Sequence, residues 1–222
     1  MLVDMHIHEA RFSPDSHIYL EDIVARAKSM GLDCIGITDH DSMGLKDYAE
    51  RYSRKVGFPI YVGIEYFSLQ GDIVAYGIDS YPQTRVSAQE FIDFVHERNG
   101  FCSACHPFRN NNRGLEENLL QVKNLDALEA LNGSTLWEAN KKAYSYAQII
   151  GAKTIGVSDA HVIQNLGKYA TYIKGVAPAT TEEFVALLKS SELHPAVYTD
   201  EGYQVLNHAD FGCQKLLDKK YA

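Results

Sequence analysis

"GLDCIGITDHD", residues 31–41, carries the plan of the fold. A glycine closes a helical stretch, the apolar run Cys34–Thr38 reads as a strand, and the chain turns on Asp39, His40 and Asp41. "GAKTIGVSDAH", residues 151–161, repeats that plan and ends on Asp159 and His161. Any two strand–helix units of an α/β protein share a glycine and an apolar strand. They do not by default share a terminal Asp and His, so the repeat speaks to chemistry as well as fold.

Working outward, short apolar runs alternate with amphipathic stretches along the whole chain. Strands are expected at Leu2–Ile7, Cys34–Thr38, Ile60–Phe67, Ile73–Ile78, Phe101–Cys105, Ala127–Leu131, Thr154–Val157 and Tyr169–Ile173. Helices are expected at Leu20–Met30, Leu45–Val56, Ala88–Asn99, Leu115–Lys123, Leu136–Ile150 and Thr181–Ser190. In the first helix Leu20, Ile23, Val24 and Ala27 fall at helical spacing before Gly31, and Ser87 and Thr180 are expected N-caps with acids soon after. One domain over residues 1–197 is expected, with residues 198–222 as a tail packed on it.

The chain has 222 residues, 45% hydrophobic and 23% charged, a balance suited to one globular domain with a full core. Net charge is −8 with histidines neutral, which argues against a broad nucleic-acid surface. An anionic substrate can still bind where metal ions supply positive charge. No run reaches the length of a membrane span, and "MLVDMHIHEA" places Asp4, His6 and His8 where an export signal needs basic and then apolar residues. Four irregularly placed cysteines, Cys34, Cys102, Cys105 and Cys213, do not make a disulfide scaffold. A cytoplasmic protein with no membrane partner is therefore expected.

The possible metal ligands fall at strand ends. His6 and His8 end the first strand, two residues apart and so on one face. His40 follows the second strand, Glu65 lies late in "IYVGIEYF", His106 follows "FCSAC", and Asp159 and His161 follow "TIGVS". Carboxyl ends of parallel strands converge on the face where α/β proteins build sites. Mixed imidazole and carboxylate donors suit Zn²⁺, Mn²⁺ or Fe²⁺, and their number exceeds one tetrahedral site. Each piece alone has a plainer reading: a surface HxH pair, "TDHD" as a polar turn in which Asp41 caps the next helix, Glu65 as a solvent-facing strand residue. Their conjunction points to metal.

"DMHIH", "GITDHD", "GIEYF", "CHPFR" and "GVSDAH" occur in the order and character of the PHP (polymerase and histidinol phosphatase) phosphoesterases, which the chain resembles from residue 1 to about residue 190. The resemblance implies a distorted seven-stranded (β/α) barrel with two or three divalent metals (Zn, Mn or Fe) at its carboxyl-end face. By it, His6 and His8 bind one metal with Glu65 and Asp159, Glu65 bridges to a second that takes His106, and Asp15, His40 and His161 hold a third. Glu9 stands where the family usually has threonine, and "FSPDS" replaces its Ser-Asp-Gly, which leaves His17 as a rival to Asp15. Between His106 and His161 there is no further histidine, so Glu129, Asn132 or water completes the second metal.

"FCSACHPF", residues 101–108, also contains the CxxCH of a haem attachment site, and its cysteines alone suit a redox pair or half a zinc site. The resemblance claims His106 for metal. Cys102 and Cys105 then read as buried packing on a strand that Pro107 ends. The implied activity is hydrolysis of a small phosphomonoester, a nucleotide or related phosphate, by a hydroxide held between metals. Asp159 or His161 is the expected proton relay. Arg109 is equally a phosphate clamp or a salt bridge, and Arg113 is a weaker clamp. A histidinol-phosphate phosphatase, an amidohydrolase-like C–N hydrolase and a non-catalytic metal module are the alternatives. The tail pair His208 and Asp210 reads as a surface turn or a metal pair.

Overall fold

The computed structural model describes residues 1–212, so Cys213 and the last residues of the expected tail lie outside the described part. Among the described residues, eleven strands form two sheets. The first contains β1 (Leu2–Asp4), β2 (Cys34–Ile37), β3 (Ile60–Val62), β9 (Tyr169–Tyr172), β10 (His194–Thr199) and β11 (Gly202–Val205), in the order β11-β10-β9-β1-β2-β3. The second runs β4 (Ile64–Phe67), β5 (Asp72–Tyr76), β6 (Phe101–Ala104), β7 (Ala127–Asn132), β8 (Lys153–Val157) in sequence order. Helices α1 (Leu20–Met30), α2 (Lys46–Val56), α3 (Ala88–Glu97), α4 (Trp137–Ile150) and α5 (Thr181–Ser190) pack outside.

The α/β architecture is as expected, but the described strands do not form a closed seven-stranded barrel. The expected strand Ile60–Phe67 splits at Gly63, passing from one sheet to the other. A Cβ at Gly63 would stand 2.4 Å from the Ala75 carbonyl oxygen, so only glycine lets the chain cross so close to β5. At the other seam a side chain replaces the ladder: Gly156 N–H donates to Thr171 Oγ1 at 3.2 Å, and that hydroxyl donates to Gly156 O at 2.9 Å. Single parallel bridges, Ile7 to Ala160 and His40 to Glu65, tie the sheets together where strands end.

Local signals held where the pattern was periodic. Helix α1 has the expected bounds, and Gly31 caps it at φ 80°. Ser87 forms a full capping box with Glu90, and Thr180 accepts from Glu183 N–H. The helix expected at Leu115–Lys123 is only a five-residue 3-10 turn, Glu116–Leu120. Glu116 sits at φ 49° and its N–H is drawn to Pro107 O at 3.0 Å, so a right-handed helix cannot propagate through it. The chain from His194 to Val205 is a hairpin on the β9 edge. Between the sheets lie Met5, Tyr76, Phe101, Val157 and Phe184, all buried. Tyr76 Oη donates to Met5 O at 2.6 Å.

Candidate metal centre

Both HxH imidazoles are fully buried at the end of β1. His6 Nδ1 lies 2.6 Å from Glu129 Oε1, and His8 Nδ1 lies 3.1 Å from Ser13 Oγ, whose hydroxyl donates to Asp39 Oδ1 at 2.9 Å. With carboxylates at the far end of each chain of bonds, both Nδ1 atoms carry the proton, and both Nε2 atoms present lone pairs. Those two Nε2 atoms are 2.9 Å apart. Glu65 Oε2 is 3.5 Å from the first and 3.3 Å from the second, and Asp159 Oδ1 repeats those distances.

Four electron-rich atoms thus converge. Ligands about 2.0–2.1 Å from a tetrahedral ion are separated by roughly 3.3 Å, so the observed edges fit a divalent cation. A second group abuts the first: His106 Nε2 lies 3.0 Å from Glu65 Oε1 and 3.7 Å from Asp72 Oδ2. A third is formed by His8, His40 and His161. Asp15, 57% exposed, places Oδ2 3.2 Å from His40 Nε2 and 3.4 Å from His161 Nε2. His40 Nδ1 is 2.7 Å from Glu65 Oε2, but the pair lacks hydrogen-bond alignment, and both atoms are buried without a bonded partner. That is what atoms aimed at a shared ion look like.

Electrostatics agree. Burial opposes charge on Glu65, yet the charge of His6 and the hydrogen bond from His106 hold its carboxyl well below the usual range. Asp159 is likewise desolvated, but His6, His8 and Arg109 keep it ionised. Burial lowers His8 to about 4. For His6 burial is outweighed by Asp159, Glu129 and Glu65, which hold the imidazole well above its ordinary value. Carboxylates held ionised in so buried a cluster demand a cation beside them.

All eight sequence-expected ligands, His6, His8, Asp15, His40, Glu65, His106, Asp159 and His161, therefore come together. The rest sort differently. His17 is exposed, and only its backbone N–H reaches His161 O, at 2.9 Å. Glu129 does not face the second group: its Oε2 accepts His106 N–H at 2.7 Å and Asn132 Nδ2 at 2.8 Å. Asn132 is itself committed to Arg109 and Asp159. Arg109 makes the salt bridge, its Nη2 donating to Asp159 Oδ2, while its Nε donates to Thr135 Oγ1 at 3.1 Å. Asp41 caps no helix; its Oδ1 accepts Phe67 N–H at 3.0 Å. His208 meets Tyr144 Oη at 3.1 Å and Asp210 accepts Asn207 N–H at 2.7 Å, a local turn.

Asp72 was not anticipated. It begins β5, which pairs antiparallel with β4 and β6. Its amino end consequently reaches the face where the parallel strands end, and a search confined to carboxyl ends passes over it. Arg113 holds it bidentately, Nε at 2.7 Å and Nη2 at 2.8 Å. Burial, then the charge of Glu65, pushes its carboxyl up to about 7 despite Arg113. The only available signal was an acid beside a strand that follows Glu65 by a tight turn.

A fold of this kind with a buried imidazole and carboxylate cluster where its strands end defines a class of protein built to hold divalent cations. The chain belongs to the PHP domain family, whose match covers residues 4–191. A "Probable histidinol-phosphatase" of Thermotoga maritima is 28% identical over 205 residues, spanning 75% of this chain and 87% of that protein. Among solved structures, PsfC from Pseudomonas syringae aligns with a TM-score of 0.66 at 17% identity, over 99% of this chain and 96% of that one. A candidate metal-dependent phosphoesterase from Bifidobacterium adolescentis aligns with a TM-score of 0.61 at 18% identity, over 83% and 93%. At such identities the structural likeness speaks to the fold alone.

Proposed function

We propose that the protein is a metal-dependent phosphoesterase acting on a small phosphomonoester. The observation that carries this reading is the meeting of His6 Nε2, His8 Nε2, Glu65 Oε2 and Asp159 Oδ1 within 3.5 Å of the histidine pair, beside the Glu65, Asp72 and His106 group. His6, His8, Glu65 and Asp159 would hold one cation, and Glu65 and His106 with Asp72 alongside a second. His40, His161 and Asp15 would hold a third. Bound cations of this kind supply Lewis acidity, lowering the pKa of water and neutralising charge on phosphoryl oxygens.

The chain's own residues do the rest. Glu129 and the Ser13–Asp39 relay fix the tautomers and ring planes of His6 and His8. Arg109, 19% exposed and braced by Asp159, Asn132 and Thr135, stands on the wall of the pocket as a preset guanidinium for phosphoryl oxygens. His161, partly exposed on the same wall, would serve the leaving oxygen as proton donor only where the third cation is not bound. Asp159, fully buried and tied to Arg109, stays ionised through the cycle. The pocket is about 460 Å³, a size that suits a small ester rather than a polymer.

Because a relative bears the name histidinol-phosphatase, histidinol phosphate belongs beside nucleoside monophosphates in the test panel. The protein, loaded in turn with Zn²⁺, Mn²⁺ and Fe²⁺, is assayed for phosphate release, with bound metal counted per chain. Release from at least one monoester, abolished in His6→Ala, is expected. Full metal occupancy with no release from any ester overturns the reading.

A further inference from the structure

The opposite end of the second sheet carries another convergence of donor atoms. His96 lies in the last turn of α3, Cys102 is the second residue of β6, and Asp126 immediately precedes β7. Asp126 Oδ2 is 3.1 Å from His96 Nε2 and 3.7 Å from Cys102 Sγ, and all three donor groups fall within 4.8 Å of one another. Tetrahedral zinc with bonds of about 2.0 Å to N and O and about 2.3 Å to S separates N from O by roughly 3.3 Å and S from O by roughly 3.5 Å. The observed edges straddle those values. From Cys102 to His106 the strand advances roughly 13 Å, so this cluster lies apart from the candidate metal centre.

We propose that His96, Cys102 and Asp126 form a separate zinc-type site, with solvent as its fourth ligand. Cys102 and Cys105 stand an odd number of positions apart on an extended strand, so they face opposite sides of the sheet. Cys102 points into the layer beneath α3, while Cys105 packs in the core between the sheets. The CxxC therefore never acts as a chelating pair, and Cys102 takes its partners from α3 and the β7 approach. His96 is 30% exposed and Asp126 17%, which gives a cation an entry path to a sulfur that is itself buried. The carboxyl end of α3 contributes partial negative charge at His96. Two lysines whose charge reaches the cluster, Lys153 and Lys189, are engaged by main-chain carbonyls of Leu188, Lys189 and Asn99. Cation binding displaces the thiol proton to solvent and leaves a thiolate on the metal. Such a site clamps α3 onto β6 and β7.

Sulfur makes the site separable by spectroscopy: the eight expected donors of the candidate centre are nitrogen and oxygen, and the one thiol beside them, Cys105 within 4.8 Å of His6 and Glu65 donor atoms, is removed in the Cys105→Ser control. The full-length protein is titrated with Co²⁺ and read for the near-ultraviolet thiolate-to-cobalt charge-transfer band. The band is expected in the parent protein and in His6→Ala, Cys105→Ser and Cys213→Ser. It is expected to be lost in Cys102→Ser and weakened in His96→Ala, a partly exposed substitution that leaves the sheet intact. No band in the parent, a band that survives Cys102→Ser, or one lost in Cys105→Ser overturns the proposal. Failure of the phosphoesterase reading leaves these outcomes unchanged.

Discussion

Glu129 and His6 are joined at 2.6 Å, carboxylate oxygen to Nδ1, with both side chains fully buried. The same carboxylate accepts His106 N–H through its other oxygen, so one residue of β7 orients a histidine of each of two adjoining groups. Glu129→Gln keeps the shape, removes the charge and leaves only one oxygen for three donors, His6 Nδ1–H, His106 N–H and Asn132 Nδ2–H. Metal affinity measured by calorimetry is expected to fall about 10- to 100-fold, with circular dichroism unchanged. An affinity equal to the parent's would show that the carboxylate does not tune the site.

Asp72→Asn tests the residue that strand-end reasoning passed over. It removes the charge beside His106 and frees Arg113 from its bidentate grip. Phosphate release is expected to drop by about tenfold or more, together with bound metal per chain. Unchanged metal content with unchanged rate would make Asp72 a partner of Arg113 and nothing else.

Removing metal is expected to destabilise the fold. Glu65, Asp159, His6 and His8 are buried side chains whose charges or lone pairs then face one another. A cation at about 100 times its Kd stabilises by about 2.7 kcal/mol, which for a domain of this size moves Tm by on the order of 5–10 °C. Calorimetric melting with and without chelator measures it. Re-addition of metal should restore the higher Tm, and identical melts would count against a resident cation.

The thiols give a pH test. Burial pushes the Cys34 thiol up from 9.0 to about 12, and burial likewise raises Cys102 and Cys105. Native Cys213→Ser protein should therefore stay unlabelled by a thiolate-selective reagent at pH 8 and label fully once unfolded. Because the folded state holds these protons more tightly, the unfolded state releases them first. Stability conferred by the protonated thiols is complete below pH 9 and declines as pH rises from 9 toward 12. Rapid labelling of folded protein at pH 8 would contradict the burial.

Much of the site was legible in the chain because its chemistry is local. An apolar strand closing on Asp or His says which side chain emerges at a strand end, and His40, His106, Asp159 and His161 were found that way. Periodic helices were equally readable, down to the Ser87–Glu90 box. The failures share a physical cause. Strand direction, which brings Asp72 to the site, is a property of pairing and leaves only the short turn between Phe67 and Asp72 as a local trace. Whether Glu129 and Arg109 face a ligand or another side chain depends on partners far along the chain, His6 and Asp159.

The amino-acid order alone determined an α/β chain with imidazoles and acids at successive strand ends, since periodicity and residue type act over a few positions. Only the tertiary structure decided that the strands part into two sheets at Gly63 and Thr171, because close backbone approach and side-chain bridging arise between distant segments. It likewise decided which carboxylates face the histidine cluster and which stand behind it. That choice rests on which side of an imidazole each carboxylate meets, Glu129 at His6 Nδ1 and Glu65 near His6 Nε2, and packing sets it.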